Sequence, residues 1–238
     1  MQSKHEPSSP LNSVAVIFGA SGGIGSALTR HLQAQNKYTH VIPLSRSSDP
    51  AIDLLDETSL QTAISHAARF GELRLMIDAT GFLHDAQQSP EKSLRQLNAD
   101  ALARSFALNA IGPALIMKHA LPLMPRTGKA VFATLSARVG SITDNRLGGW
   151  YSYRAAKAAL NQLVKTASVE LARRSKQAIC VALHPGTVAT SLSAPFSAQG
   201  LDVHSPDEAA RHLVEVIDSL DESANGCFYD WRGQHIPW

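Results

Sequence analysis

Short apolar runs alternate with amphipathic stretches along the chain. The runs VAVIF (14–18), HVIPL (40–44), LRLMIDA (73–79), AVFATL (130–135), AICVAL (178–183) and CFYD (227–230) are continuous rather than alternating in polarity. Continuous apolar strands predict a parallel sheet covered on both faces. Between them apolar residues recur at three- and four-residue spacing, as in Ile24, Leu28 and Leu32 or Leu60, Ile64 and Ala68, which predicts helices. Ser205, Pro206 and Glu208 signal a further helix start, with Ser205 as N-cap and Glu208 completing a capping box. The alternation predicts the α/β class: a single doubly wound parallel sheet flanked by helices on both faces. Its ligand site is expected at the carboxyl ends of the strands, near the switch in strand order.

The length of 238 residues and 44% apolar composition suit one domain, expected over residues 13–238, behind a polar, flexible tail at residues 1–12. The segment 187–204, TVATSLSAPFSAQGLDVH, lacks periodicity and is expected to be a loop that closes over substrate. The 22 basic and 20 acidic residues are scattered, which argues against nucleic acid and a charged membrane surface as partners. No leader-like stretch opens the chain and no run of about 18 apolar residues appears, so no membrane span is expected and the location is read as cytoplasmic. Cys180 and Cys227 fall in predicted strands and read as buried thiols rather than a disulfide or metal pair. The ten histidines lack metal-site spacing, which disfavours a metal-dependent hydrolase.

The first strand runs directly into GASGGIG, residues 19–25, and a helix opens at once. Such a turn lets backbone N–H groups approach a pyrophosphate while the helix presents its positive end to it. The arrangement is Rossmann-type, and Gly19, Ser21, Gly23, Ile24 and Gly25 are the expected cradle. Twenty residues beyond Gly25, where an NAD-selecting site places a carboxylate on the ribose, stand Ser45 and Arg46. A hydroxyl and a guanidinium hold a 2′-phosphate that a carboxylate would repel, so the expected cofactor is NADP(H). The alternative is a solvated Arg46. Asp53 and Leu54 are placed to meet the adenine, unless Asp53 only caps a helix.

Tyr153 and Lys157 stand four apart at the start of a long helix and share one face. A nearby ammonium stabilises a phenolate, which brings a tyrosine toward proton exchange at neutral pH. Tyr153 would then donate a proton to a carbonyl oxygen or take it from an alcohol, and Lys157 would also bind the nicotinamide ribose. A solvated pair is the bland reading of that spacing.

Together, the glycine turn and the Tyr-x-x-x-Lys spacing resemble the short-chain dehydrogenase/reductase family, over residues 14–238. Further matches are Ala79-Thr80-Gly81, similar to the family's Asn-Ala-Gly turn, Asn109 in ALNAIGP, and Pro185-Gly186-Thr187-Val188-x-Thr190. The resemblance implies that Asn109 anchors a proton-relay water, and that the backbone of 185–188 with Thr190 meets the nicotinamide amide and the phosphates. Asn109 otherwise satisfies a helix backbone, and Thr190 is otherwise an N-cap. One element departs. The family's Ser-Ser pair reads Ser136-Ala137, which leaves Ser136 or Ser141 as the carbonyl-orienting hydroxyl, with Ser136 preferred.

The segments LSARVGSI, GGWYSYRAAKAALN and PGTVATSLSAPF look like the carbonyl-reductase and C-factor-like branch. The expected substrate is a small carbonyl or alcohol, in a pocket walled by the 187–204 loop with Trp150 and Leu147. Trp150 alternatively packs in the core. The resemblance also implies a homodimer or homotetramer joined through the Tyr-x-x-x-Lys helix, with Trp231 and Trp238 as candidate interface residues. A rival reading is an NADP(H)-binding sensor or scaffold with little turnover.

Overall fold

The computed structural model describes residues 12–193, 195 and 202–238. The tail before residue 12, and residues 194 and 196–201 of the expected substrate loop, lie outside them. Six parallel strands form the main sheet: β1 (Ser13–Phe18), β2 (His40–Leu44), β3 (Glu72–Asp78), β4 (Ala130–Leu135), β5 (Ala178–His184) and β8 (Phe228–Asp230), in the order β2-β1-β3-β4-β5-β8. Every run predicted from apolar continuity is a strand, and the order reverses between β1 and β3. Cys227 lies just before β8, half-buried, whereas Cys180 is fully buried in β5; both are free thiols.

Helices cover both faces. On one side α1 (Gly23–Gln35) and α6 (Pro206–Ser219) bury Leu28, Leu32, Ala210 and Leu213 against Ala15, Ile17 and Leu75. On the other, α2 (Glu57–Ala67), α4 (Gly112–Ala120) and α5 (Tyr151–Arg174) bury Leu60, Ile64, Ile116, Leu160 and Val164 against Val14, Val16, Phe18 and Phe132. Successive residues of β1 thus face opposite layers, and a polar residue on either face would cost burial, which is why the strand reads as continuously apolar. Each fully buried leucine contributes about 2 kcal/mol. The capping box at Ser205 and Glu208 forms as expected, with Pro206 in the first turn.

Helix α3 (Ala99–Phe106) runs through a π-helical turn, Ala107–Ile111, into α4. The continuous stretch Ala99–Leu123 is long and apolar enough, by length and composition, to cross a membrane. Here it packs in the domain, with Ile116, Met117 and Ala120 buried among the core residues. The segment that begins the expected substrate loop forms β6 (Thr187–Val188), which pairs in parallel with β7 (Val203–His204) and so joins the two ends of that loop.

Candidate active site

At the carboxyl end of β1, Gly19 adopts φ +77°, and its N–H and that of Ala20 donate to Leu44 O of β2 at 2.9 and 3.1 Å. Gly22 precedes α1 without a side-chain cap, and the first α-helical bond runs from Ser26 N to Gly22 O. The N–H groups of Gly23, Ile24 and Gly25 therefore lack helical partners, and Ser21, Gly22 and Gly23 are exposed. This is an anion cradle open to solvent, with the helix dipole behind it. A Cβ on Gly25 would stand 2.2 Å from Gly19 O, and one on Gly23 would stand 2.7 Å from Thr190 Cγ2. Thr190, from the segment after β5, thus lies directly over the turn. Its hydroxyl approaches Ser193 Oγ at 3.3 Å.

Beyond β2, Ser45 is buried and its hydroxyl accepts from Ser47 N, while Arg46 is exposed and pairs with no carboxylate among the described residues. Asp53 accepts from Leu55 N at 2.9 Å, a local turn; the N-cap of α2 is Asp56. Leu54 packs on Gly112, where a Cβ would be 2.9 Å from Leu54 Cβ. At the end of β3, Ala79 N donates to Phe18 O, and Ala79-Thr80-Gly81 turns beside the glycine cradle. Gly186 takes φ +80° under Trp231 and His204, and Val188 is buried.

Helix α5 begins at Tyr151, after Trp150 in the left-handed region with φ +53°. No side chain of its own loop caps it. Glu91, 61 residues away in sequence, does so: its carboxylate accepts from Ser152 N at 3.1 Å and from Ser152 Oγ, and its carbonyl accepts from Trp150 N. A buried carboxylate at a helix N-terminus satisfies orphan N–H groups and complements the dipole. Arg154 adds hydrogen bonds to Val139 O, Gly148 O and Gly149 O. The first turn of α5, with Tyr153, is therefore held from two sides.

Lys157 is 2% exposed, and its Nζ donates to Leu135 O at 2.8 Å and lies 5.8 Å from the Tyr153 ring centroid. Burial lowers the Lys157 pKa to about 8, against an opposing pull from Asp78. Tyr153 is half-buried, and desolvation pushes its phenol pKa up rather than down. The expected lowering by the ammonium is not found; loss of water is the cause of the shift, and the phenol holds its proton. The Trp150 ring meets Tyr153 edge-on at 6.2 Å, beside the site rather than in the core, and Leu147 is 91% exposed.

Asn109, fully buried in the π-helical turn, accepts from Phe82 N at 2.9 Å and donates to Phe82 O at 2.7 Å. Its amide pins the loop after β3, and a Cβ on Gly81 would lie 3.6 Å from Asn109 Oδ1 and 4.0 Å from Lys157 Nζ. Asn109, Gly81, Lys157 and Tyr153 thus converge. The serines do not join them by any contact among the described residues: Ser136 Oγ donates to Asn161 Oδ1 at 2.6 Å, and Ser141 Oγ donates to Pro237 O at 2.5 Å. Both hydroxyls are committed to internal partners, and Ala137 offers none. Trp231 packs on His204 at 4.3 Å and Trp238 stacks on Phe228 at 5.6 Å, so both candidate interface rings are engaged within the chain.

Two residues at this end of the sheet were not singled out from the sequence. Glu91 gives no local signal, because its partner Ser152 is remote in sequence. Asp78 does give one, a carboxylate directly after the apolar run Leu75-Met76-Ile77 at the end of β3; it is fully buried and accepts from Thr80 N, Thr80 Oγ1 and Thr134 Oγ1.

The chain is 30% identical over 236 residues to 1-hydroxy-2-glutathionyl-2-methyl-3-butene dehydrogenase of Rhodococcus sp. strain AD45, covering 95% of this chain and 100% of that one. It is 36% identical over 137 residues to C-signal of Myxococcus xanthus, covering 58% of this chain and 78% of that one. In fold it is similar to the NADPH-bound carbonyl reductase from chicken fatty liver, with a TM-score of 0.83 at 24% identity over 96% of this chain and 94% of that one. The carbonyl reductase Sniffer of D. melanogaster follows at 0.80 and 23% identity, over 96% and 100%. The family model described as short chain dehydrogenase matches residues 13–200, and the chain belongs to that family.

Proposed function

We propose that the chain is an NADP(H)-dependent oxidoreductase that moves a hydride between nicotinamide and a small carbonyl or alcohol, with Tyr153 as general acid/base and Lys157 assisting. The observation that carries this reading is the buried Lys157 ammonium one helical turn beyond Tyr153, at the same sheet end as the open glycine cradle. Gly19, Ser21, Gly23, Ile24 and Gly25 would hold a pyrophosphate, since the turn exposes N–H groups without helical partners and a Cβ on Gly19, Gly23 or Gly25 would push Ala79, Thr190 or Gly19 out of place. Ala79, Thr80 and Gly81 on one side, and Pro185, Gly186, Val188 and Thr190 on the other, would flank the rest of the cofactor. The bound cofactor supplies or accepts the hydride. Tyr153, held protonated by desolvation, gives the proton to the carbonyl oxygen in reduction and would take it back in oxidation. Lys157, fixed against Leu135 O, lends its charge to the developing phenolate. Asn109 holds the Phe82 backbone and so the wall beside Gly81. Steady NADPH oxidation across a panel of small ketones and aldehydes tests the reading.

Ser45 and Arg46 are read as the 2′-phosphate clamp, supported by an exposed guanidinium at the end of β2. Arg46→Ala is expected to weaken NADPH binding about 10- to 100-fold and NADH binding by less than about 3-fold in calorimetric titration. Equal weakening of both would remove the assignment. Asp53 and Leu54 flank the same edge, where the adenine would sit.

Because the Ser136 and Ser141 hydroxyls are engaged, Tyr153 orients the carbonyl alone unless Ser136 exchanges Asn161 for substrate. Ala137→Ser is therefore expected to raise turnover about 10-fold or more, and Ser136→Ala to change it by less than about 3-fold. A fall of about 100-fold in Ser136→Ala, with NADPH affinity intact, would instead make Ser136 the carbonyl-orienting residue. The same engagement is what favours the second reading, an NADP(H) sensor with little turnover. The outer faces of α4 and α5 leave an apolar trough lined by Met117, Leu121, Leu163 and Leu171, where we place the contact of a homodimer or homotetramer.

A further inference from the structure

Asp78 ends β3 at the reversal of strand order, is wholly without solvent contact, and has no part in the proton transfer described above. Its position is fixed by three donors, Thr80 N at 3.0 Å, Thr80 Oγ1 at 2.5 Å and Thr134 Oγ1 at 2.7 Å. Thr134 precedes Leu135, whose carbonyl holds Lys157 Nζ at 2.8 Å, and Gly81, three residues beyond Asp78, lies against the same Nζ. The carboxyl of Asp78 and the ammonium of Lys157 are thus both buried and joined through Thr134 and Leu135, without forming a direct ion pair.

A buried ammonium with a single carbonyl partner is costly unless an opposite charge is near. Among the described residues the other elements around Lys157 offer none. β4 (AVFATL) carries no ionisable side chain, and the turn Thr80-Gly81 and Asn109 are neutral. Arg138, in the turn packed on Lys157, pairs with Asp144 and Asp230. On α5 itself Tyr153 holds its proton and Arg154 is turned to the loop carbonyls. Burial pushes the Asp78 carboxyl above its usual range, opposed by the hydrogen bonds from Thr80 and Thr134 and by the charge of Lys157, and Asp78 in turn raises the Lys157 pKa against burial.

We propose that Asp78 is a positioning residue whose carboxylate is the fixed counter-charge of the buried Lys157, and that it sets the alkaline limit of proton transfer at Tyr153. The second clause rests on the oxidoreductase reading; the first does not.

Asp78→Asn keeps the shape and can keep the threonine contacts. In protein carrying [13Cε]lysine, with the Lys157 signal identified by its loss in Lys157→Arg, the Lys157 titration midpoint should fall by about one pH unit or more in Asp78→Asn. The alkaline limb of NADPH-dependent reduction should move down with it. An unmoved midpoint in the folded variant overturns the proposal. If the variant does not fold, the wild-type protein decides by the 13Cγ signal of Asp78: a carboxylate at pH 7 supports the pairing, and a protonated carboxyl overturns it. A lowered Lys157 midpoint in a protein that turns over no carbonyl upholds the charge pairing and removes the oxidoreductase reading instead.

Discussion

Tyr153→Phe is expected to lower carbonyl reduction about 10²- to 10⁴-fold while leaving NADPH affinity and thermal stability nearly unchanged. The ring would keep its contacts with Trp150 and Lys157, so packing survives the change. The lost element is the phenolic proton, and general acid catalysis by a positioned side chain contributes in that range. No other hydroxyl in the described site is free to replace it, since Ser136 and Ser141 donate to Asn161 and Pro237. Comparing turnover with NADPH titration separates this outcome from a folding defect. Retained turnover would show that the proton comes from elsewhere.

Gly25→Ala is expected to abolish measurable NADPH binding. The new Cβ would lie 2.2 Å from Gly19 O and 2.8 Å from Gly19 C, and neither atom belongs to a side chain that can swing away. Either α1 or the turn must shift, at a cost of about 1–3 kcal/mol or more, and both carry the cradle N–H groups. A chain of this size should then lose about 2–12 °C in Tm. Gly22→Ala is the control: Gly22 has φ −77°, and its added Cβ would be 3.3 Å from Gly19 O. That variant should bind NADPH within about 10-fold of the parent. Equal binding by both variants would contradict the assignment of this turn to the pyrophosphate.

What the sequence made legible, and what it hid, follows from how far apart the interacting residues lie. VAVIF and AICVAL read as strands because both of their faces are buried, and burial on two faces leaves no polar alternation. The glycine turn was legible because a strand, a tight turn and a helix occupy one contiguous segment. Tyr153 and Lys157 were legible for the same reason, being one turn of one helix. The Glu91 cap of α5 was not, because capping by a remote loop leaves no pattern near residue 152. Ser136 looked available from its place at the end of β4; its hydroxyl is taken by Asn161, 25 residues further on. The expected lowering of the Tyr153 pKa rested on proximity to Lys157 alone and took no account of desolvation. Asp78 stood in plain view as a charge directly after Leu75-Met76-Ile77, but its bearing on Lys157 depends on the pairing of β3 with β4, which places Thr134 opposite it.

The central claim is that this site transfers hydride to a carbonyl and does not merely hold the cofactor. The direct test incubates the purified protein with NADPH deuterated at the transferable position and a panel of small ketones and aldehydes, and reads deuterium in the products by mass spectrometry. At least one alcohol should carry one deuterium at the former carbonyl carbon, with none formed by Tyr153→Phe. Tight NADPH binding without deuterium in any product would contradict the account and leave the sensor in its place.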